Sequence, residues 1–375
     1  MKKKPKVLLL VNELTLTGAP KSGLDIFEKL KEELEIRTVS LRGGPIKSSY
    51  QQLGPLAVIT DLSQWGKLSY QLKSRLQKFL WSFVLLQWRP DLIYVNSAVA
   101  LRIAKILRLP RANVLLHVRE LHSLLREHVQ DSPELLLNWP SRYIAASHAV
   151  CGMLKDCYHI PEEKITVIHS FVVEDDPWFQ PSSHQVLNKS RFVIGGVGGS
   201  DWRKGMLLWL QMAVKLKQMI PQKPIQFVWV GAADNSSSML IKEMACKMGM
   251  GGSIEFLGLV ENPTNLFSSF DILAFTSLED ACPRVVLECM MLKIPVVCFE
   301  GGGGAPEEVG NAGIVVKNFS PELMAQAIAD LSQDPEQMRR LGQSAFERVQ
   351  KNFISSIQVP KIREEIYKLL GKNAE

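Results

Sequence analysis

No stretch of this chain is apolar for long enough to cross a membrane. The longest apolar run, Phe79–Trp88, contains two polar residues and falls far short of the ~20 residues a span needs. The N-terminal MKKKPK followed by VLLLV has too short an apolar run for a signal peptide. Asn12 and Glu13 follow at once, so a first β-strand is expected there. No repeat of solenoid period and no low-complexity tract is present. The six cysteines, 151, 157, 246, 282, 289 and 298, include no CxxC and no zinc spacing. Several lie in apolar stretches, so buried free thiols and a reducing, cytoplasmic setting are expected. The net charge of +6 is mild; it suits an anionic substrate or a membrane surface without demanding nucleic acid. Gly301–Gly304 does not form GxGxxG at the start of a first βαβ unit. Ser147 lacks a GxSxG elbow, so a hydrolase triad is unsupported. Glu174, Asp175 and Asp176 are not carried by a buried strand, and no metal site is expected there.

The 375 residues, 46% of them hydrophobic, suffice for two domains with separate cores. Lys6–Asn12 is a continuous apolar run, the pattern of a strand covered on both faces in a parallel sheet. Further strand-like runs fall at 36–41, 56–60, 91–96, 113–118, 142–147 and 164–169, with helical stretches between most of them. The first helix is expected over about 21–34. The polar, Pro-bearing stretch 173–190 reads as a linker. A second alternating series follows, with strands at 191–197, 225–231, 253–257, 271–276, 295–299 and 313–316. Ser320 and Asp334 begin helices, and the tail 352–370 is helical and amphipathic. Alternation of this kind predicts α/β architecture with two doubly wound parallel sheets. The expected domains are 1–172, 191–350 and a C-terminal helix, 351–375, packing back on the first.

The stretch Ser277–Gly304, SLEDACPRVVLECMMLKIPVVCFEGGGG, organises the second half. A strand ends, Glu279 and Asp280 follow, and Pro283 stands where a helix begins. Val285, Val286, Cys289 and Leu292 recur at helical spacing, predicting an inward face. A helix start offers free N–H groups and a positive dipole end to an anion. Beside it, Glu279, Asp280 and Glu288 offer acceptors for hydroxyls. A ligand carrying both phosphate and sugar needs that pairing.

With these parts in hand, the chain resembles the retaining GT-B glycosyltransferases of family 4, the glycosyl transferases group 1. The motifs are Asp280-ACPRVVL-Glu288, TGAP at 17–20, His117 and Glu120 as HxxE, AASHAV at 145–150, IPEEKITVIHS at 160–170, RKG at 203–205, FLG at 256–258 and GGAPEEVGNAGIVV at 303–316. The resemblance covers nearly the whole chain. It implies a nucleotide-sugar donor, a UDP- or GDP-sugar, with Glu288 on the ribose hydroxyls and Asp280 near the transferred sugar. It places the amides of Arg284 and Val285 at the diphosphate and the base near Leu259. Lys204 carries the phosphate role. Counting eight helical residues puts the Asp280 and Glu288 carboxylates ~12 Å apart.

Two departures stand out. The phosphate-binding Arg that the family often carries five residues before its Lys is Gly199 here, and Arg203 or Arg284 is expected to supply the charge, since a guanidinium suits two phosphate oxygens. Asp280 replaces Glu and reaches one methylene less. Gly18 in the first loop either lets a ligand approach the backbone or forms a plain strand-to-helix turn. His117 and Glu120, after a strand, are candidates to face the acceptor in the first domain. No carboxylate nucleophile is evident, so retention without a protein–sugar intermediate is implied. Neither a cofactor nor a metal is required if lysine and amides offset the diphosphate. The acceptor is a glycan, polysaccharide or lipid-linked hydroxyl. Residues 67–88, basic and aromatic, form a candidate peripheral membrane contact. The rivals are a nucleotide-sugar epimerase and a non-catalytic nucleotide- or carbohydrate-binding protein.

Overall fold

The computed structural model describes residues 3–60, 70–130, 132–176, 179, 191–260 and 263–371, with the side chains of 70–77 outside the description. The polypeptide divides into two compact units. One is Met1–Ser170 with Ser355–Glu375, and the other is Phe171–Ile354. Most of the expected linker, 173–190, lies outside the described residues.

The first unit is built on strands β1 (Lys6–Val11), β2 (Glu35–Ser40), β3 (Leu56–Val58), β4 (Leu92–Val95), β5 (Asn113–Val118), β6 (Arg142–Ala145) and β7 (Ile165–Val167). Their order is β3-β2-β1-β4-β5-β6-β7, and every pairing is parallel. The central strands β1, β4 and β5 are almost wholly buried. Helices cover both faces of such a sheet, which is why these segments read as unbroken apolar runs.

The second unit holds β8 (Phe192–Val197), β9 (Ile225–Val230), β10 (Ile254–Leu257), β11 (Ile272–Phe275), β12 (Val296–Phe299) and β13 (Ile314–Val316), ordered β10-β9-β8-β11-β12-β13 and all parallel. Counted within the unit this is 3-2-1-4-5-6, the Rossmann order. Its core is aromatic. Trp209, on the helix Met206–Met219, meets Trp229 of β9 edge to face at 5.4 Å and Phe227 at 6.0 Å. Two glycines in β8 make room for these rings: a Cβ on Gly195 would lie 2.2 Å from Phe270, and one on Gly196 would lie 2.5 Å from Trp209 Nε1.

Several expectations are corrected. The first helix is Gly18–Leu30 rather than 21–34; Pro20 fits in the first turn, where its missing N–H costs nothing, so Gly18 opens the helix instead of lying in the loop. The helix that Asp334 begins is Pro335–Asn352, and the tail helix is Ser355–Leu369 rather than 352–370. Between them Ile354 forms a β-bridge with Val172, which interrupts the helical hydrogen bonds. The second of these helices packs on Gly18–Leu30 and on β5. Arg142 Nε bonds Glu365 Oε2 at 2.6 Å and Arg363 Nε bonds Glu33 Oε2 at 2.7 Å. Only Cys282, Cys289 and Cys298 are buried; Cys157 and Cys246 are exposed and Cys151 is half-buried, and all six are free thiols. The exposed pair lie at the ends of helices on their outward faces, where apolar spacing in sequence does not mean burial.

Adding a methyl to Gly196 has no free volume to enter, so Gly196→Ala should destabilise the second unit by about 1–3 kcal/mol. Chemical denaturation followed by tryptophan fluorescence measures this; an unchanged midpoint would refute the packing described.

Candidate functional site

The sheet of the second unit reverses its strand order between β8 and β11. Ligands of open α/β sheets bind beyond the carboxyl ends of the strands at such a point, and two loops meet there. After β8 the chain passes Gly198–Asp201 and the 3₁₀ turn Trp202–Lys204. It then turns at Gly205 into the helix Met206–Met219. Gly205 has φ +67°, and a Cβ there would lie 2.0 Å from the Thr276 carbonyl oxygen. Glycine alone lets the β8 loop lie this close to the β11 loop. The Leu278 N–H donates to the Arg203 carbonyl at 2.7 Å, and Thr276 Oγ1 donates to the Lys204 carbonyl at 3.3 Å. Held in this way, Lys204 Nζ meets Asp280 Oδ2 at 2.5 Å.

Asp280 is fixed from its other side by the glycine turn after β12. Its N–H donates to the Gly302 carbonyl and its carbonyl accepts from the Gly304 N–H, both at 2.9 Å. A Cβ on Gly304 would approach the Ala281 carbonyl oxygen to 2.3 Å, so the GGGG run serves close backbone packing against Ala281.

The helix that follows is Arg284–Met291. Pro283 is its extended N-cap and offers no side-chain cap of its own. The N–H groups at a helix start have no partner within the helix, and the positive dipole end there suits an anion. Asp280 precedes the helix, so the separation reckoned from eight helical residues does not apply. The buried face is Val286, Leu287, Cys289 and Met290; Val285 and Leu292 are only half-buried, because the helix starts later than its apolar spacing suggests. Arg284 Nε lies 3.4 Å from Glu288 Oε1 one turn on, and Arg203 Nε lies 2.9 Å from Asp201 Oδ1. Each of the three cations, Arg203, Lys204 and Arg284, therefore has a carboxylate of the same unit beside it. An incoming polyanion competes with those carboxylates for the cations. Gly199 lies in the same β8 loop, where a Cβ would come within 3.3 Å of Asp201 Oδ2. Leu259 follows β10, two strands from β8, and is 80% exposed.

Two side chains at this site, Cys282 and Glu308, were not among the expected site residues. The Cys282 thiol donates to Glu308 Oε1 at 3.0 Å, and both residues are buried. Burial holds the Glu308 carboxyl well above the usual carboxylate range; the thiol bond from Cys282 acts against this, and the charges of Asp280, Glu307 and Glu288 push it up. The available signal was the second acid in APEEVG, which falls on the inward side of the short helix Ala305–Val309 together with Ala305 and Val309.

In the first unit, the His117 ring is buried. Its Nδ1 is 2.7 Å from the Tyr94 hydroxyl and 3.2 Å from Arg119 Nη2. A guanidinium only donates, so Nδ1 accepts and Nε2 carries the hydrogen; Nε2 has no partner among the described residues. Burial, then the Arg119 charge, keep the ring neutral, with a pKa well below its ordinary value. Glu120 is also buried and accepts from the N–H groups of Ala98 at 3.0 Å and Arg119 at 2.9 Å, satisfying the start of the 3₁₀ helix Ala98–Leu101. Burial raises its pKa against these bonds. A Cβ added to Gly18 would meet nothing within 4 Å among the described residues, so this glycine relieves no crowding. Ser147 caps the helix His148–Asp156 by accepting from the Val150 N–H, and Glu174 and Asp175 lie in a turn.

Two parallel Rossmann-type sheets, the second with cations and a helix start at its switch point, define the GT-B fold. The profile of the glycosyl transferases group 1 matches residues 191–334, and that of glycosyltransferase family 4 matches residues 41–176. The chain belongs to this family. It is 28% identical to a D-inositol 3-phosphate glycosyltransferase of Corynebacterium urealyticum over 39% of this chain and 36% of that protein. It is 26% identical to an alpha-D-kanosaminyltransferase of Streptomyces kanamyceticus over 41% of this chain and 40% of that one. The match thus spans two fifths or less of these relatives. Among solved structures, Anabaena HepE in complex with UDP and glucose superposes with a TM-score of 0.79 at 19% identity, covering 98% of this chain and 99% of that one. Sucrose-phosphate synthase of Thermosynechococcus elongatus superposes with a TM-score of 0.75 at 17% identity, covering 98% and 100%. These likenesses establish the fold.

The Lys204–Asp280 pair can be measured directly. A double-mutant cycle of Lys204→Met and Asp280→Asn, read by chemical denaturation, should return a favourable coupling of about 1 kcal/mol. A coupling of zero would mean that the two side chains do not hold one another in solution.

Proposed function

We propose that this protein is a retaining glycosyltransferase that moves a sugar from a nucleotide diphosphate, UDP or GDP, to an acceptor hydroxyl of a glycan, polysaccharide or lipid-linked sugar. The observation that carries this reading is the coincidence of the Lys204–Asp280 pair and the start of the helix Arg284–Met291 at the switch point of one sheet. Support also comes from a neighbour in fold, Anabaena HepE, described in complex with UDP-glucose.

Breaking the bond from sugar to diphosphate leaves negative charge on the departing phosphate. Donors already in place where that charge grows lower the barrier without reorganising. The Lys204 ammonium and the helix-start amides would take this role, with Arg203 or Arg284 making up for Gly199. Glu288 would accept from the pentose hydroxyls and Asp280 would lie by the transferred sugar. With these positive groups facing the diphosphate, no metal or cofactor is needed in this scheme. His117 and Glu120, both buried, would act on the acceptor side by shaping the first unit's loops.

Thermal denaturation with UDP-, GDP- and ADP-sugars identifies the donor, because a ligand bound only by the native state stabilises it by about 2.7 kcal/mol at a hundredfold excess over Kd. Product analysis with that donor should give free nucleotide and a glycoside of unchanged anomeric configuration. An isomerised nucleotide sugar would point to an epimerase, and binding with neither transfer nor slow donor hydrolysis to a non-catalytic protein.

The helix Tyr70–Trp88 supports a second part of the reading, contact with an anionic membrane surface. Among its described side chains, Phe79, Leu80, Phe83, Val84 and Leu86 are all exposed on one side, Phe79 by 68%. Ser82 Oγ accepts from the Arg108 N–H at 3.1 Å, which ties the helix to a segment carrying Arg102, Lys105, Arg108 and Arg111 and no acid. At its other end a pocket of 420 Å³ is lined by Lys3, Lys4, Lys6 and Arg89 among others. Apolar side chains flanked by cations suit a bilayer of acidic lipids. Trp88 takes no part: it is buried beneath Arg37, with Nε1 donating to Glu35 at 2.7 Å. Lys67 and the side chains of Lys73 and Arg75 lie outside the described residues. The protein should sediment with vesicles of acidic lipid and not with neutral ones, and Phe79→Ser with Phe83→Ser should reduce the bound fraction severalfold. No sedimentation at low salt would remove this contact.

A further inference from the structure

The carboxyl of Glu308 is a group that the proposed transfer does not use. It is fully buried on the short helix Ala305–Val309, next to the loop that carries Asp280. An aliphatic side chain would fill that volume at lower cost, since a buried carboxyl must lose its hydration. Facing it are Cys282 and Asp280 from the β11 loop, Glu288 from the helix Arg284–Met291, Cys298 from β12 and Glu307 from its own helix. Arg348 reaches this region only through main-chain oxygens, donating to the carbonyls of Glu308 and Glu307 at 2.7 Å each. Among the described residues, no side-chain cation acts on the Glu308 carboxyl. The one side-chain bond to it is the Cys282 thiol at 3.0 Å, and Oε2 has no partner among the described residues.

Cys282 occupies a sensitive place. It stands between Asp280, which pairs with Lys204, and Pro283, the N-cap of the helix Arg284–Met291. The backbone on the Asp280 side is tied to the glycine turn through Gly302 and Gly304. On the Pro283 side, the Cys282–Glu308 bond is the side-chain tie of the loop to the helix beyond that turn. We propose that Cys282 and Glu308 form a positioning clamp for the donor loop, in which the Glu308 carboxyl, by accepting from the thiol, fixes both the Asp280 carboxylate and the start of the helix Arg284–Met291 for the diphosphate. The clamp rests on the donor reading above for its ligand, though not for its structure.

The protonation state matters to this clamp. Uncharged, Glu308 accepts from the thiol without adding a further negative charge beside Asp280 and Glu288, where a diphosphate must approach. Its pKa is raised in the fold, so its contribution to stability is complete below the ordinary carboxylate range. That contribution declines as pH rises from there through the raised value. Ionised, it would oppose the ligand's phosphates through the same loop.

Amide hydrogen exchange tests the clamp without any ligand. In Cys282→Val and Glu308→Val, exchange at the Asp280 and Gly304 amides should quicken tenfold or more while the amides of β11 and β12 keep their protection. Glu308→Gln, which can still accept from the thiol, should restore slow exchange and remove the decline in stability with rising pH. Unchanged exchange at Asp280 and Gly304 in both valine variants would overturn the clamp, as would a glutamine variant as loose as the valine one. The second arm uses UDP and GDP. Weakening of their binding by tenfold or more in the valine variants, with rescue by glutamine, links the clamp to the donor. Loosened exchange in a protein whose wild type binds neither nucleotide would leave the clamp standing and overturn the donor reading.

Discussion

The second unit depends on one arrangement, a lysine held by backbone contacts over an acidic loop at the point where strand order reverses. Lys204 is not placed by its own side chain's preferences. The left-handed turn at Gly205 and the bonds from Leu278 and Thr276 to main-chain carbonyls bring the two loops together. Asp280 then holds the ammonium at 2.5 Å. Without Gly205 the loops could not approach, and without the glycine turn after β12 Asp280 would lose both of its backbone partners. The site is thus over-determined by backbone geometry, as preorganised electrostatics require.

Around it the charges are balanced in pairs: Arg203 with Asp201, Lys204 with Asp280, Arg284 with Glu288. Pairing keeps three cations from repelling one another, and the proposed diphosphate would enter by exchange of partners. The start of the helix Arg284–Met291 adds its positive dipole end to these charges. The rigid frame comes from the Trp209–Trp229–Phe227 packing behind β8 and β9, which seats the strands whose ends bear the loops.

The fold was legible because parallel sheets covered on both faces leave a plain trace. KVLLLV, DLIYVN and NVLLHV are continuous apolar runs, and each proved to be, or to contain, a buried central strand. Boundaries were less legible where local and tertiary forces compete. The first helix starts at Gly18, ahead of Pro20, rather than near residue 21, and the tail helix expected from 352 starts only at Ser355, after the β-bridge of Ile354 to Val172. At the site, the acids Asp280 and Glu288 and the helix start after Pro283 were readable from their order around a strand, whereas Lys204 and Arg284 came only with the family resemblance. The burial of His117 and Glu120 was not readable, because a polar residue after a strand carries no mark of which loop covers it. Glu308 was harder still. Nothing local distinguishes an acid that faces a thiol in the interior from one that faces water, and only the packing of the helix Ala305–Val309 decides between them.

The most direct test of the account is a crystal structure with a UDP- or GDP-sugar bound. It should place the phosphate oxygens about 3 Å from the N–H groups of Arg284 and Val285 and from Lys204 Nζ, with the pentose on Glu288. Phosphates seated elsewhere, with that helix start left to water, would contradict it.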